Sequence, residues 1–175
     1  FDKVYFCNSG SEANESLLKL ARRYHHDRGE AQRIGFVSTH NSFHGRTMGS
    51  LSLTGQAKYH KGMEPLVEGV TFIDFNDLAA LDRAVDEQTA AVIFEPVQAE
   101  GGIIVAKPEF IEGARRICDE RGVLLFFDEI QTGYGRTGTF LAQEHFGVSP
   151  DACSLAKGIG GGFPLGAMAV TERLS

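Results

Sequence analysis

Short runs of apolar residues recur along the chain and alternate with segments of helical periodicity. The runs AAVIF at 90–94 and VLLFF at 123–127 contain no polar residue. Runs of this length are too short to span a membrane, and they are typical of strands buried on both faces. Their alternation with helices predicts an α/β fold, in which a mainly parallel sheet is covered by helices on both faces in three layers.

Turn and capping residues place the predicted elements along the chain. Ser9 and Glu12 have the spacing of a capping box, which opens a helix that ends near Gly29. Asn76 is predicted to cap a second helix, and Pro108 lies in the first turn of a third. Strands are predicted at 3–7, 34–38, 69–74, 90–94, 123–127, 153–156 and 167–170.

Composition excludes several classes of protein. The 175 residues carry a formal net charge of −6 and no basic run, which argues against a nucleic-acid partner. No apolar run is long enough to predict a membrane segment. Three widely separated cysteines, Cys7, Cys118 and Cys153, favour a reducing, cytoplasmic compartment. The six histidines lack metal-ligand spacing, so we expect no metal site.

Polar residues and glycines follow the predicted strands. In parallel sheets, ligands bind beyond the carboxyl ends of the strands. The segments that lie there are 8–11, 43–46, 95–100, 128–131 and Lys157. We therefore expect a functional site where these segments meet.

Lys157 is the only charged residue between Ala152 and Thr171, and five glycines follow it in this stretch. Most lysines lie at the surface, so Lys157 can be interpreted as a surface residue at a turn. An apolar setting, however, favours the uncharged amine that a lysine needs in order to react with an aldehyde. The glycines would let the backbone pass close to a flat ligand.

Asp128 directly follows five apolar residues, so its carboxylate is expected to be partly buried and to need a partner. It can be a helix cap or half of an ion pair, or it can face a cationic atom of a cofactor. A buried aspartate beside a reactive lysine is the pair expected for pyridoxal phosphate, because the aspartate stabilises the protonated pyridine nitrogen. Gly10 and Ser11 would offer a phosphate N–H groups, a hydroxyl and the positive end of a helix dipole.

Five motifs follow one another along the chain: NSGSEANE, NSFHGRT, FEPVQAEGG, FFDEIQTGYGRTG and LAKGIGGGFPLGAM. Together they resemble the class III pyridoxal-phosphate-dependent aminotransferases of fold type I, and the resemblance runs through nearly all of the chain. Within this class the sequence is most similar to the acetylornithine branch, with the ornithine and 4-aminobutyrate branches as alternatives. His44 after Phe43 favours the acetylornithine and 4-aminobutyrate branches, because ornithine relatives tend to carry Trp there.

The resemblance implies two catalytic residues. Lys157 would bond to the aldehyde of the cofactor and then move a proton between substrate and cofactor, and Asp128 would pair with the pyridine nitrogen. In the same way, Gly10 and Ser11 would bind the phosphate, Phe43 and Ile130 would cover the two ring faces, and Gln131 would reach the phenolic oxygen. The full set of implied cofactor-binding residues is Gly10, Ser11, Phe43, His44, Asp128, Glu129, Ile130, Gln131 and Lys157.

Two further residues are implied to bind the substrate. Arg46 would bind its α-carboxylate, for which the planar guanidinium is suited. Glu100 matches the acidic partner of a second arginine in the family, a pair that lets one site accept both glutamate and a neutral or basic side chain. The family usually has Gly at the position of Ala99.

The implied reaction transfers the ω-amino group of N-acetylornithine to 2-oxoglutarate, giving N-acetylglutamate 5-semialdehyde and glutamate in arginine biosynthesis. The resemblance also implies a homodimer whose partner subunit supplies a phosphate-binding threonine. The sequence begins without an initiator methionine, so we expect a piece of a larger protein. Residues 1–175 would be part of the large cofactor-binding domain, without the N-terminal segment and the C-terminal small domain. We expect that these residues alone do not catalyse the transamination.

Two other functions remain open at this level. Gly133, Gly135 and Gly138 match G-x-G-x-x-G, a motif that can bind a dinucleotide in an oxidoreductase. That motif should open a helix directly after a strand, whereas the apolar run here ends five residues earlier, at Asp128. The other alternative is a relative that binds the cofactor without turnover, which the presence of the implied catalytic residues disfavours.

Overall fold

The computed structural model describes residues 1–174, which form nine strands and five α-helices. In chain order these are β1 (Lys3–Cys7), α1 (Gly10–Asp27), β2 (Gly35–Thr39), α2 (Met48–Leu53), α3 (Ala57–His60), β3 (Val70–Ile73), α4 (Leu78–Ala84), β4 (Thr89–Phe94), β5 (Val97–Gln98), β6 (Ile104–Val105), α5 (Pro108–Arg121), β7 (Leu124–Asp128), β8 (Ala152–Leu155) and β9 (Gly166–Val170). Short 3₁₀ turns span Ala142–His145, Lys157–Gly160 and Glu172–Leu174. None of the helices in the described part of the chain is long and apolar enough to cross a membrane.

Seven strands form one sheet in the order β1-β9-β8-β7-β4-β2-β3. The pairs β2–β3, β2–β4, β4–β7 and β7–β8 are parallel, whereas β9 is antiparallel to both of its neighbours. Strand β1 therefore runs in the same direction as β8. The prediction of a mainly parallel sheet is confirmed, with β9 as the one reversed strand.

The sheet has a separate apolar core on each face, because successive side chains of a strand point to opposite sides. In β7, Leu124 and Phe126 pack on the α1 side, and Leu125 and Phe127 pack on the side of α4 and α5. All four side chains are fully buried. Burial of each contributes about 1.5–3 kcal/mol, so both helical layers are held to the same strand. The predicted three layers are confirmed.

The large sheet agrees with the prediction to within one residue at each strand end, but several smaller elements differ. The hairpin β5–β6 and the short helices α2 and α3 were not predicted from the sequence. The cap of α4 is Asp77, whose Oδ1 accepts the N–H of Ala80 at 2.8 Å, and not Asn76 as predicted. Asn76 has a φ of 69° and bonds instead to the backbone of Val105 and Lys107.

The start of α1 places the backbone N–H groups of its first turn at the carboxyl end of the sheet. Ser9 is the N-cap, and its Oγ accepts the N–H of Glu12 at 3.2 Å, as predicted. The carboxylate of Glu12 accepts the N–H of Asn8 at 2.6 Å, one residue before the position that a capping box would use. These bonds fix the direction in which the chain enters the helix.

Candidate active site

A cavity of about 330 Å³ opens beyond the carboxyl ends of the parallel strands. Five segments line it: 8–11, 43–45, 130–131, 156–157 and 163–165. Of the eleven predicted site residues, the seven that line the cavity are Gly10, Ser11, Phe43, His44, Ile130, Gln131 and Lys157. The other four, Asp128, Glu129, Arg46 and Glu100, lie outside its lining.

Lys157 lies two residues beyond β8 and is exposed in the cavity, so it is not buried among apolar residues as the sequence suggested. The sequence on both sides of Lys157 lacks charged residues because it forms β8 and β9, whose residues are all buried. Lys157 has a φ of 53°, in the left-handed region that a residue with a side chain seldom adopts. Such strain costs about 1–3 kcal/mol and is concentrated at functional sites.

Asp128, the last residue of β7, is 3% exposed and is held by three hydrogen bonds. Its Oδ2 accepts from Nδ2 of Asn14 at 2.8 Å and from Nδ1 of His44 at 2.7 Å. Its Oδ1 accepts the N–H of Ile130 at 3.0 Å. Since a carboxylate can only accept, Nδ1 of His44 carries the proton in this arrangement. The carboxylate is thereby fixed next to two residues that line the cavity, His44 and Ile130.

The charge of His44 depends on two opposing effects. Burial alone lowers the pKa of its imidazole, but the hydrogen bond to Asp128 and the negative charges of Asp128 and Glu95 raise it. The net pKa of His44 is above its ordinary value. His44 Nε2 is buried and has no hydrogen-bond partner among residues 1–174.

The N-terminus of α1 forms one wall of the cavity and fits a phosphate. The N–H groups of Gly10 and Ser11 belong to the first helical turn and have no acceptor within the helix. Ser11 Oγ accepts the N–H of Arg46 at 3.2 Å, which leaves its own proton free to donate. A Cβ at position 10 would lie 2.6 Å from Cδ1 of Ile130, so Gly10 lets the Ile130 side chain pack closely against the start of α1.

Arg46 lies beside the cavity, against an aromatic pair. The ring of Phe43 packs edge-on against Tyr59 at 5.7 Å between centroids. The exposed guanidinium of Arg46 lies 5.8 Å from the Phe43 ring and 5.6 Å from the Tyr59 ring. Glu100 is exposed in the turn between β5 and β6, and the structure does not bring it to the cavity.

Glu129 has a structural role in this fold. Its buried carboxylate accepts the hydroxyl proton of Thr132 and the N–H groups of Ala142 at 3.1 Å and Gln143 at 2.9 Å. Burial raises the pKa of Glu129, and these three hydrogen bonds oppose the rise. The side chain thus anchors the Ala142–His145 turn, although its backbone follows Asp128 directly.

Two buried polar residues near the site are Asn14, which was not predicted from the sequence, and Glu95, whose role the sequence left open. Asn14 is fully buried on the face of α1 that carries Ala13, Leu17 and Leu18. Its signal in the sequence is a lone amide on an apolar helical face. Glu95 is 2% exposed at the end of β4, where the sequence alone could not distinguish a site residue from a strand end.

Solved structures of known proteins share this fold. An amine transaminase from an uncultivated Pseudomonas species, solved in its PLP-bound form, matches 98% of this chain with a TM-score of 0.92 and 36% identity. The ornithine aminotransferase of Toxoplasma gondii ME49 matches 99% of it with a TM-score of 0.94 and 35% identity. The matched parts are 44% and 42% of those chains, respectively. The fold is that of fold type I transaminases.

Relatives of known name are more similar in sequence. The acetylornithine aminotransferase of Neisseria meningitidis serogroup B is 54% identical over 99% of this chain, and that of Aquifex aeolicus is 50% identical over 99%. The chain spans 44% and 46% of the lengths of these two proteins. The family model for class III aminotransferases matches residues 1–175. The lysine and the helix N-terminus line one cavity, and the aspartate is bonded to two of its lining residues. Together with this arrangement, the matches show that the chain belongs to the class III aminotransferases.

Proposed function

We propose that this chain is part of the large, cofactor-binding domain of a pyridoxal-phosphate-dependent aminotransferase that acts on N-acetylornithine. The observation that carries the proposal is the convergence on one cavity of an exposed lysine, the N-terminus of α1 and residues bonded to a buried aspartate. Lysine and aspartate side chains serve many purposes, but the three features together match the aldehyde, the phosphate and the pyridine nitrogen of one cofactor.

The residues present fit this cofactor. Gly10 and Ser11 would hold the phosphate, Phe43 and Ile130 would flank the ring, and Asp128 would face its nitrogen. Bound pyridoxal phosphate would supply an aldehyde and an electron-accepting ring.

Lys157 and Asp128 would divide the chemical work. Lys157 would bind the aldehyde through its amine and, once displaced by the substrate amine, would hold and move the substrate proton. The bonds from Asn14 and His44 would fix the Asp128 carboxylate so that its charge favours a protonated ring nitrogen. Gln131, which lines the same cavity, would donate to the phenolic oxygen.

The identity of the donor is supported by the named relatives, which at 50–54% identity are acetylornithine aminotransferases. The reaction would give N-acetylglutamate 5-semialdehyde and glutamate from N-acetylornithine and 2-oxoglutarate, in arginine biosynthesis. Arg46 would bind the α-carboxylate of the donor, and Glu100 would belong to a part of the site that residues 1–174 do not complete. Ornithine and 4-aminobutyrate are the alternative donors, and the similarity to the Toxoplasma ornithine aminotransferase favours keeping ornithine in the comparison.

We also propose that the natural protein is a cytoplasmic homodimer with further segments on both sides of this chain. This chain spans only 44–46% of the lengths of two named relatives, which supports further segments in the natural protein. The three cysteines are free, as a reducing compartment would require.

The test uses the natural full-length protein, purified with pyridoxal phosphate. Equal concentrations of N-acetylornithine, ornithine or 4-aminobutyrate are added, and the conversion of the cofactor is followed by absorbance. We expect conversion with the highest rate for N-acetylornithine, and none with any donor in Lys157→Ala. Lys19→Ala, on the exposed side of α1, should behave as the wild type. A faster rate with another donor would reject the choice of donor, and no conversion with any donor would reject the aminotransferase function.

A further inference from the structure

Glu95 is a buried carboxyl group beside the candidate site, and the proposed reaction assigns it no role. It is the first residue after β4 and is 2% exposed. Its Oε2 accepts the N–H of Phe43 at 3.2 Å, and its Oε1 is buried without a partner among the described residues. One hydrogen bond compensates poorly for the burial of an ionised carboxylate.

The groups that face Glu95 come from three elements: His44 in the loop after β2, Asp128 at the end of β7 and Glu100 in the turn after β5. Burial is the main reason that the pKa of Glu95 rises to about 8. The charge of His44 and the N–H of Phe43 oppose the rise, while the negative charges of Asp128 and Glu100 add to it. A carboxyl group with a pKa of about 8 is mostly protonated at neutral pH and becomes ionised as the pH rises through 8.

The dipeptide Phe43–His44, which lines the cavity, is fixed by three backbone hydrogen bonds. The N–H of Phe43 donates to Glu95, and the N–H of His44 donates to Oγ1 of Thr54 at 2.9 Å. The carbonyl of His44 accepts from Asn14 at 2.7 Å. Glu95 is the only one of the three partner side chains that can ionise. A hydrogen bond to an ionised acceptor is shorter and stronger than one to a neutral acceptor.

Movement of Phe43 and His44 would change the cavity wall that the proposed cofactor ring would contact. It would also shift the carboxylate of Asp128. The Phe43 ring lines the cavity, and the His44 ring bonds Asp128 at 2.7 Å. We propose that Glu95 is a positioning residue that holds Phe43 and, through His44, the Asp128 carboxylate, and that it holds them more tightly when it is ionised. The importance of this for cofactor binding rests on the proposed function, whereas the contact between Glu95 and Phe43 does not.

The first test observes the Phe43 amide directly in the full-length protein without cofactor. The protein is labelled with ¹⁵N-phenylalanine, and the Phe43 signal is identified by its absence in Phe43→Leu. We expect its amide shift to titrate with a midpoint near pH 8. In Glu95→Gln, which keeps an acceptor oxygen but cannot ionise, the titration should be lost. Glu120→Gln, an exposed glutamate on α5, should keep it.

The second test measures the dissociation constant of pyridoxal phosphate between pH 6.5 and 9. The ratio of the Glu95→Gln constant to the wild-type constant cancels the ionisation of the cofactor itself. We expect this ratio to rise by about fivefold across the range, as the wild type gains a charged acceptor. A purely structural effect of the substitution would leave the ratio independent of pH.

The proposal is overturned if the Phe43 amide does not titrate, if the titration persists in Glu95→Gln, or if the ratio is constant with pH. These failures can be told apart from failure of the proposed function. A Glu95-dependent titration of Phe43 without cofactor bonding to Lys157 would reject the function and keep the contact. Bonding to Lys157 without the titration would reject the positioning role alone.

Discussion

At the scale of single residues, Asn14 holds the buried carboxylate of Asp128 in place. Asn14 uses both protons of its amide, one for the carboxylate of Asp128 and one for the carbonyl of His44. An amide carries no charge, so the Asn14 bond holds the carboxylate of Asp128 in place without adding an opposite charge. The sequence predicted the aspartate because it follows an apolar run, but a single amide on a helix does not indicate which distant group it will meet.

Asn14→Ala tests this arrangement. It leaves two buried acceptors short of a donor, and we expect the free energy of unfolding to fall by about 2–4 kcal/mol. Asn8→Ala is the matched control, because Asn8 is exposed and its amide bonds only Glu12 at 3.1 Å. That change should cost less than about 0.5 kcal/mol in urea unfolding of the cofactor-free protein. Equal losses in the two variants would contradict the role given to Asn14.

The raised pKa of Glu95 makes the free energy of unfolding depend on pH. Its pKa rises from 4.5 to about 8 on folding, so below pH 4.5 the carboxyl is protonated in both states. Between these values the unfolded chain ionises first, and the wild type loses up to about 1.4 kcal/mol of stability per pH unit. Glu95→Gln should therefore gain stability relative to the wild type as pH rises through this range, and the gain should level off above it.

Urea unfolding of the cofactor-free protein from pH 5 to 9 measures this difference. Glu120→Gln provides the baseline and should run parallel to the wild type. A difference between Glu95→Gln and the wild type that does not change with pH would show that Glu95 is ionised, or protonated, in both states throughout.

At the scale of elements, the start of α1 is held against β9 by close contact. Gly166, the first residue of β9, pairs with Cys7, and a Cβ there would lie 2.3 Å from the carbonyl oxygen of Ser9. Ser9 is the N-cap of α1, so a side chain added at position 166 would displace the helix N-terminus that lines the cavity.

Gly166→Ala should destabilise the protein by about 1–3 kcal/mol, because a backbone atom and not a flexible side chain has to move. It should also weaken the binding of pyridoxal phosphate. Gly158→Ala is the matched control near Lys157, since a Cβ there would meet only Tyr134, at an ordinary 3.8 Å. Thermal unfolding and a cofactor titration of both variants would measure the effects. A tolerated alanine at 166 would mean that α1 is not held by this contact.

The elements that were predicted and those that were missed differ in their burial. Apart from the edge strands β1 and β3, each strand of the large sheet is buried along nearly its whole length, and the apolar pattern locates it. In β3 only Ile73 is buried, and the strand was located by its apolar residues alone. The hairpin β5–β6 has two residues in each strand, and Ile104 and Val105 are exposed, so no periodicity marks it. The cap of α4 was placed one residue early because Asn76 and Asp77 are both good caps, and only the backbone conformation distinguishes them.

At the scale of the whole molecule, the edge strand β1 leaves apolar side chains exposed. Val4, Tyr5 and Phe6 are 52%, 56% and 63% exposed, and β1 pairs with β9 on one side only. An exposed apolar edge strand promotes association. We therefore expect the 175-residue chain on its own to self-associate, since the additional chain proposed above would be missing.

Light scattering of the isolated chain tests this expectation. Phe6→Lys should lower its apparent mass, because the charge lies directly on the exposed edge. Met63→Lys, which replaces a similarly exposed methionine in the loop after α3, should not. A monomeric wild-type chain, or equal effects of the two lysines, would contradict the prediction.

Reductive trapping in the full-length protein tests most directly whether Lys157 bonds the cofactor. The protein is incubated with pyridoxal phosphate, reduced with borohydride and digested, and the modified lysine is located by mass spectrometry. We expect the phosphopyridoxyl group on Lys157 in the wild type and no specific modification of another lysine in its place in Lys157→Ala. Modification confined to other lysines, or none at all, would contradict this expectation.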